Sequence, residues 1–169
     1  EDAGINIDVV EDGNTFEENA IKKAEEIMKV SGIITMADDS GLEIDYLDGA
    51  PGVYSARYMG EDTPYSIKNS KILETMKDVK EENRTARFVS VIATAIPNKE
   101  TITTKGTVEG IIGYEIKGEN GFGYDPIFYV PEYNMTTAEM TPELKNSISH
   151  RGKALRLMKE ELKKELGDL

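Results

Sequence analysis

The sequence predicts an α/β fold, and three stretches carry that expectation. Thr85–Ile96 (TARFVSVIATAI) is a long β-branched and aromatic run of the kind that fills a central strand. Helical spacing of apolar residues follows Thr15, with Phe16, Ala20, Ala24, Ile27 and Met28 on one side, and returns at Ala154, Leu155, Met158 and Leu162. Between them the apolar run Ile33–Ala37 reads as a short buried strand. It ends in Asp38-Asp39-Ser40-Gly41, expected to be a turn before a second strand over Leu42–Asp45. In open α/β sheets ligands bind where strands give way to turns.

Taken in order, Ile5, Ile7 and Val9 alternate with polar residues and predict a first strand over Ile5–Val10. Thr15 followed three residues later by Glu18 matches a capping box, so a helix starts there. Glu18 therefore has two readings: it caps its own helix, or its carboxylate serves a ligand. Thr63-Pro64 predicts the next helix, with Thr63 as N-cap and Tyr65, Ile72, Leu73, Met76 and Val79 on its apolar side. The charged run Lys77–Arg84 reads as its solvated exit. Pro97-Asn98-Lys99 turns the central strand into a hairpin partner over Glu100–Thr104, continued by Thr107–Gly113 with a bulge near Gly106. Glu119–Pro126 is rich in glycine around Phe122, whose ring is either a core plug or a stacking platform. A short strand over Ile127–Val130 follows. Thr141-Pro142-Glu143 opens a short helix carrying Lys145. Ser149 is the expected N-cap of the last helix, with His150 and Arg151 in its first turn, where the helix dipole disfavours cations. That placement hints at a role facing a ligand.

Composition narrows the function. A chain of 169 residues is one domain by default. Its formal net charge of −12 argues against nucleic acid or an anionic membrane as partner. A phosphate-bearing small substrate then needs a metal or a local cluster of Lys and Arg. There is no Cys, which excludes thiol catalysis and fits a reducing cytoplasm, and a single His excludes a multi-histidine metal site. No apolar run approaches the roughly 20 residues of a membrane span. The adjacent acids Asp38 and Asp39 suit Mg2+, which takes one or two carboxylates and keeps several waters. Asp-Asp-Ser-Gly is equally ordinary turn chemistry.

Four stretches together, Thr15–Ala20 (TFEENA), Ala37–Leu42 (ADDSGL), Gly121–Phe128 (GFGYDPIF) and Ser149-His150-Arg151, resemble the inosine triphosphate pyrophosphatase family. The similarity runs along essentially the whole chain and includes Asp48–Tyr58 (DGAPGVYSARY). The resemblance implies one domain over residues 1–169, with an elongated mixed β-sheet, flanking helices and two lobes around a central cleft. It implies a homodimeric, Mg2+-dependent enzyme that cleaves the α–β phosphoanhydride of deaminated purine nucleoside triphosphates (ITP, dITP, XTP), releasing a monophosphate and pyrophosphate. Residue by residue, it makes Asp39 the general base or metal-bound carboxylate, with Asp38 beside it, and Glu18 a metal ligand. Ser40 becomes a substrate contact. Phe122, Gly123, Tyr124 and Asp125 become the loop that holds the base, and Lys145, His150 and Arg151 its polar partners. The family's opening strand and its Ser/Thr-x-Asn-x-x-Lys phosphate loop have no counterpart upstream of Ile5. The expectation is therefore a strand edge without its neighbour and weak triphosphate binding.

The chemistry agrees with the resemblance. A 6-oxopurine presents an acceptor at O6 and a donor at N1, and adenine presents the reverse. Asp125 accepting from N1–H, with His150 or Arg151 donating to O6, would leave adenine unpaired on both sides, and such mismatches discriminate strongly. Two other readings belong beside this one: a nucleotide-binding module without turnover, and a pyrophosphatase for other modified nucleotides, including pyrimidines.

Overall fold

The structure, a computed structural model, describes residues 4–167. Five strands form one sheet in the order β1 (Thr35–Ile44), β2 (Thr85–Ala95), β3 (Ile102–Ile112), β4 (Phe128–Val130) and β5 (Met135–Thr136). Each strand neighbours the next in sequence. The connection 96–101 is too short for a parallel crossover, so β2 and β3 form a hairpin. The pairs β3–β4, with Ile111 opposite Tyr129, and β4–β5, with Tyr129 opposite Thr136, are antiparallel. Among the described residues there are also four α-helices: α1 (Phe16–Ser31), α2 (Tyr65–Thr75), α3 (Pro142–Ile148) and α4 (His150–Leu166).

Local signals place several helix ends. Thr15 Oγ1 accepts from Glu18 N at 3.1 Å, and Gly32, at φ +71°, stops α1 in the left-handed conformation. Thr141 Oγ1 accepts from Leu144 N and opens α3. α2 begins one residue later than expected: Pro64 is its N-cap without a side-chain bond, because Thr63 Oγ1 donates instead to Met59 O at 2.7 Å.

Several expectations are corrected. Ile5–Val10 is not a strand; no partner pairs with it among the described residues, and alternation alone does not satisfy backbone groups. Asp38–Gly41 is not a turn. β1 runs unbroken from Thr35 to Ile44 through both acids, since pairing with β2 overrides a weak local turn preference. Nor is its start buried: Ile33, Ile34 and Met36 are all largely exposed. β3 is continuous through Gly106, and Leu155 of α4 faces outward. Arg84, read as part of a solvated exit, is 1 % exposed. Its guanidinium donates to the carbonyls of Met76, Val79, Ile112 and Gly113 and lies 4.1 Å from the Tyr114 ring centroid. Burial lowers its pKa from the usual arginine value.

The chain divides into two compact units, one of residues 1–40, 90–106 and 150–169, the other of residues 41–89 and 107–149. In the first, Ile92 packs with Ala154 and Met158 of α4. In the second, Leu42 and Ile44 join Ile72 of α2 and Met76, its C-cap, and the Phe88 and Phe128 rings lie 4.4 Å apart between centroids.

Gly106 has a packing reason. A Cβ there would stand 2.1 Å from His150 O and 2.7 Å from Ala154 N, both backbone atoms of α4. The helix start therefore rests directly on β3. Gly106→Ala is expected to lower stability by about 1–3 kcal/mol, the range for overpacking a core, read as a fall in the urea midpoint. An unchanged midpoint would show that α4 shifts away freely.

Candidate active site

In the first unit, β1 presents Asp38 and Asp39 to opposite faces, as strand alternation requires. Asp38 pairs with Arg151 of α4, Oδ2 to Nη2 at 2.8 Å. Ser40, two residues on and on the same face, donates to Ser90 Oγ at 2.9 Å and lies 3.4 Å from Asp38 Oδ2. Met36, Ala37, Asp38, Ile92, Arg151 and Leu155 line a cavity of about 190 Å³ on this face. His150 immediately precedes Arg151 in the first turn of α4, as expected.

Asp39 turns to the other face, toward α1. Its side chain is 13 % exposed, and Oδ1 lies 3.4 Å from Lys23 Nζ, which also pairs with Glu11. Its Oδ2 is buried with no hydrogen-bond partner among the described residues. Burial pushes the Asp39 carboxyl above the ordinary aspartate value of 3.8, and the nearby Lys23 and Asn19 only partly offset it. An acceptor-only oxygen left dry in this way fits a bound cation.

Glu18 caps. Its Oε2 accepts from Asn14 N at 2.6 Å, one residue before the capping-box position. Glu18, Asp38 and Asp39 do not form one cluster, and among the described residues no group of three His, Cys, Asp or Glu side chains stands ready to hold a metal ion.

In the second unit a glycine loop carries Phe122. Gly121, at φ +73°, has no room for a side chain: a Cβ would lie 2.2 Å from Asp125 Oδ2. Phe122 is 72 % exposed, so of its two readings the free ring stands and the core plug does not. Lys145 Nζ lies 4.8 Å from its centroid. Asp125 is buried and fully engaged: Oδ1 accepts from Thr137 Oγ1 at 2.8 Å, and Oδ2 from Phe122 N at 2.9 Å and from Lys145 Nζ. Direct pairing with a base would require it to release one of these. Tyr124 is buried, donates to Ser55 O at 2.6 Å and meets the Tyr65 ring edge-on at 5.2 Å. Burial drives its pKa well above the usual tyrosine range. Gly123 O accepts from Asn69 Nδ2 at 3.0 Å.

A family model for the Ham1 family matches residues 1–161 of this chain. The chain belongs to the Ham1 family. A dITP/XTP pyrophosphatase of Clostridium perfringens is 54 % identical over 168 residues, covering 96 % of this chain and 82 % of the relative. A dITP/XTP pyrophosphatase of Desulforamulus reducens is 57 % identical over 149 residues, covering 88 % and 74 % respectively. Among solved structures, the Staphylococcus aureus Ham1 protein matches with a TM-score of 0.90 at 47 % identity, over 95 % of this chain and 82 % of that one. The α/β architecture expected from sequence is thus the architecture of solved Ham1 proteins.

Within this Ham1 chain the structure adds residues that sequence reading passed over. Asn19 is 1 % exposed on α1 and accepts from Gly13 N. Lys23, on the same helix, is the cation beside Asp39. Ser90 and Thr137 supply the partners of Ser40 and Asp125. Periodicity marks none of them, because each is defined by a partner distant in sequence. Only the spacing of Asn19 and Lys23, one turn apart on the buried side of α1, offered a signal.

Proposed function

We propose that this chain hydrolyses deaminated purine nucleoside triphosphates, dITP, ITP and XTP, to the monophosphate and pyrophosphate. The observation that carries the reading is identity above 50 % to dITP/XTP pyrophosphatases along most of the chain. Asp39 is the catalytic carboxylate. A raised pKa suits a group that must accept the proton of an attacking water near neutral pH. Water oxygen bonds to the α-phosphorus, the α–β bridging bond breaks, and pyrophosphate leaves. Mg2+ would be held by Asp39 through Oδ2 and by Glu18 once it gave up Asn14, whereas Asp38, on the opposite face of β1 and paired with Arg151, would lie outside that set. When bound, the cation neutralises phosphate charge that so acidic a chain would otherwise repel.

Arg151 and Ser40, tied to Asp38 on one strand face, and His150 beside them are the polar contacts to substrate in the first unit. In the second, Phe122 stacks on the purine, and Gly123, Tyr124 and Asp125 shape the loop that holds it. Lys145, held by Asp125, offers the donor that a 6-oxo group accepts and that adenine's amino group cannot use. Among the described residues no helix is long and apolar enough to cross a membrane. The enzyme's place is the cytoplasm, where the free nucleotide pool lies, and its assembly is a homodimer.

Pyrophosphate release from dITP, XTP, dATP and dGTP, with and without Mg2+, tests the reading. Turnover confined to dITP and XTP and dependent on Mg2+ is expected; equal rates on dATP would refute it. Glu18→Gln separates the two roles of Glu18. As a metal ligand it requires the half-saturating Mg2+ concentration to rise sharply, whereas a cap alone leaves it in place and costs a fraction of about 1 kcal/mol in stability.

A further inference from the structure

We propose that Asn69 is a positioning residue for base recognition: its amide, acting through the Gly123 carbonyl, fixes the turn that presents Phe122. This rests on the reading of the Phe122 loop as the base-holding loop. Asn69 lies on α2, is 2 % exposed, and donates from Nδ2 to Gly123 O at 3.0 Å. Asp125 Oδ2 accepts from Phe122 N at 2.9 Å. The peptide unit before Phe122 and the one after Gly123 are therefore gripped by two buried side chains, while the ring between them stays 72 % exposed. Gly121 and Gly123 both have positive φ, so the turn has little intrinsic preference for one conformation and needs such anchors.

The second half of the amide points to function rather than stability. Asn69 Oδ1 is buried with no hydrogen-bond partner among the described residues. A buried amide that satisfies only one side gains little for the fold, and leucine, of similar size, would remove the orphaned acceptor altogether. Retaining asparagine there makes sense if the Gly123 bond is what matters. Phe122 is thereby held out for a purine face, at an entropy cost met before the nucleotide arrives.

The test is a cycle of four proteins: wild type, Asn69→Leu, Phe122→Ala and the double variant, each assayed for pyrophosphate release from dITP and for thermal stability. Asn69→Leu is expected to keep or raise the melting temperature and to raise KM for dITP about tenfold, the scale of one lost hydrogen bond, with kcat changed less than about twofold. In the double variant KM should match that of Phe122→Ala alone, because Asn69 acts only through the ring it positions. An unchanged KM in Asn69→Leu, a fall in melting temperature with kcat and KM both altered, or additive effects in the double variant would each overturn the inference while leaving the enzyme reading intact. A wild-type protein that turns over neither dITP nor XTP would overturn both.

Discussion

Asp39→Asn is expected to lower pyrophosphate release from dITP by about a hundredfold or more, the scale of a lost general base, and at the same time to make the protein more stable at neutral pH. The two effects share one cause. The folded chain raises the Asp39 pKa above its ordinary value of 3.8, chiefly by burial, so the native state binds that proton more tightly than the unfolded chain does. Stability from this group is then fully present below the ordinary value and is lost as pH rises through the raised one. Asparagine has nothing to ionise. The variant should therefore melt above wild type at pH 7 and converge with it below about pH 4. Mg2+ supplies a second readout. It should raise the melting temperature of wild type, by mass action on the folded state, and leave Asp39→Asn unmoved. Near-normal turnover by the folded variant would remove Asp39 from the mechanism, and a Mg2+ response equal to that of wild type would place the cation elsewhere.

The second large effect falls on the Phe122 loop. Asp125→Asn breaks a buried ion pair by deleting one charge, which costs about 3–5 kcal/mol because the other is left without its counter-ion. Lys145 loses its carboxylate, and an amide cannot accept from Thr137 Oγ1, Phe122 N and Lys145 Nζ through two oxygens as Asp125 does. One of its ends presents N–H to a donor. The urea midpoint should fall steeply, and KM for dITP should rise in whatever fraction remains folded. Adding Lys145→Met removes the stranded ammonium and should restore part of the stability but none of the KM. A double variant no more stable than Asp125→Asn alone would mean that Thr137 and Phe122, not the ion pair, carry the cost.

What the sequence alone determined is whatever rests on local bonding or on one strong period. The cap at Thr15, the stop at Gly32, the start of α3 at Thr141 and the β2 run all follow from groups within a few residues of one another. The four motifs that carry the family resemblance were legible for the same reason: each is a contiguous string. The tertiary structure decided everything that needed a distant partner. β1 passes straight through Asp38–Gly41 because β2 lies alongside to pair with it, whereas Ile5–Val10 alternates just as well without becoming a strand. That continuity sends Asp38 to Arg151 and Asp39 to Lys23, separating two carboxylates that a turn would have kept together. Asn19, Lys68, Asn69 and Arg84 are polar and nonetheless buried. Lys68 Nζ donates to Ala56 O at 2.6 Å, and Arg84 reaches carbonyls of β3 and of the segment after α2. Composition assigns such residues to the surface because an unpartnered polar group is expensive inside, and only the folded chain supplies the partners that make its interior tolerable.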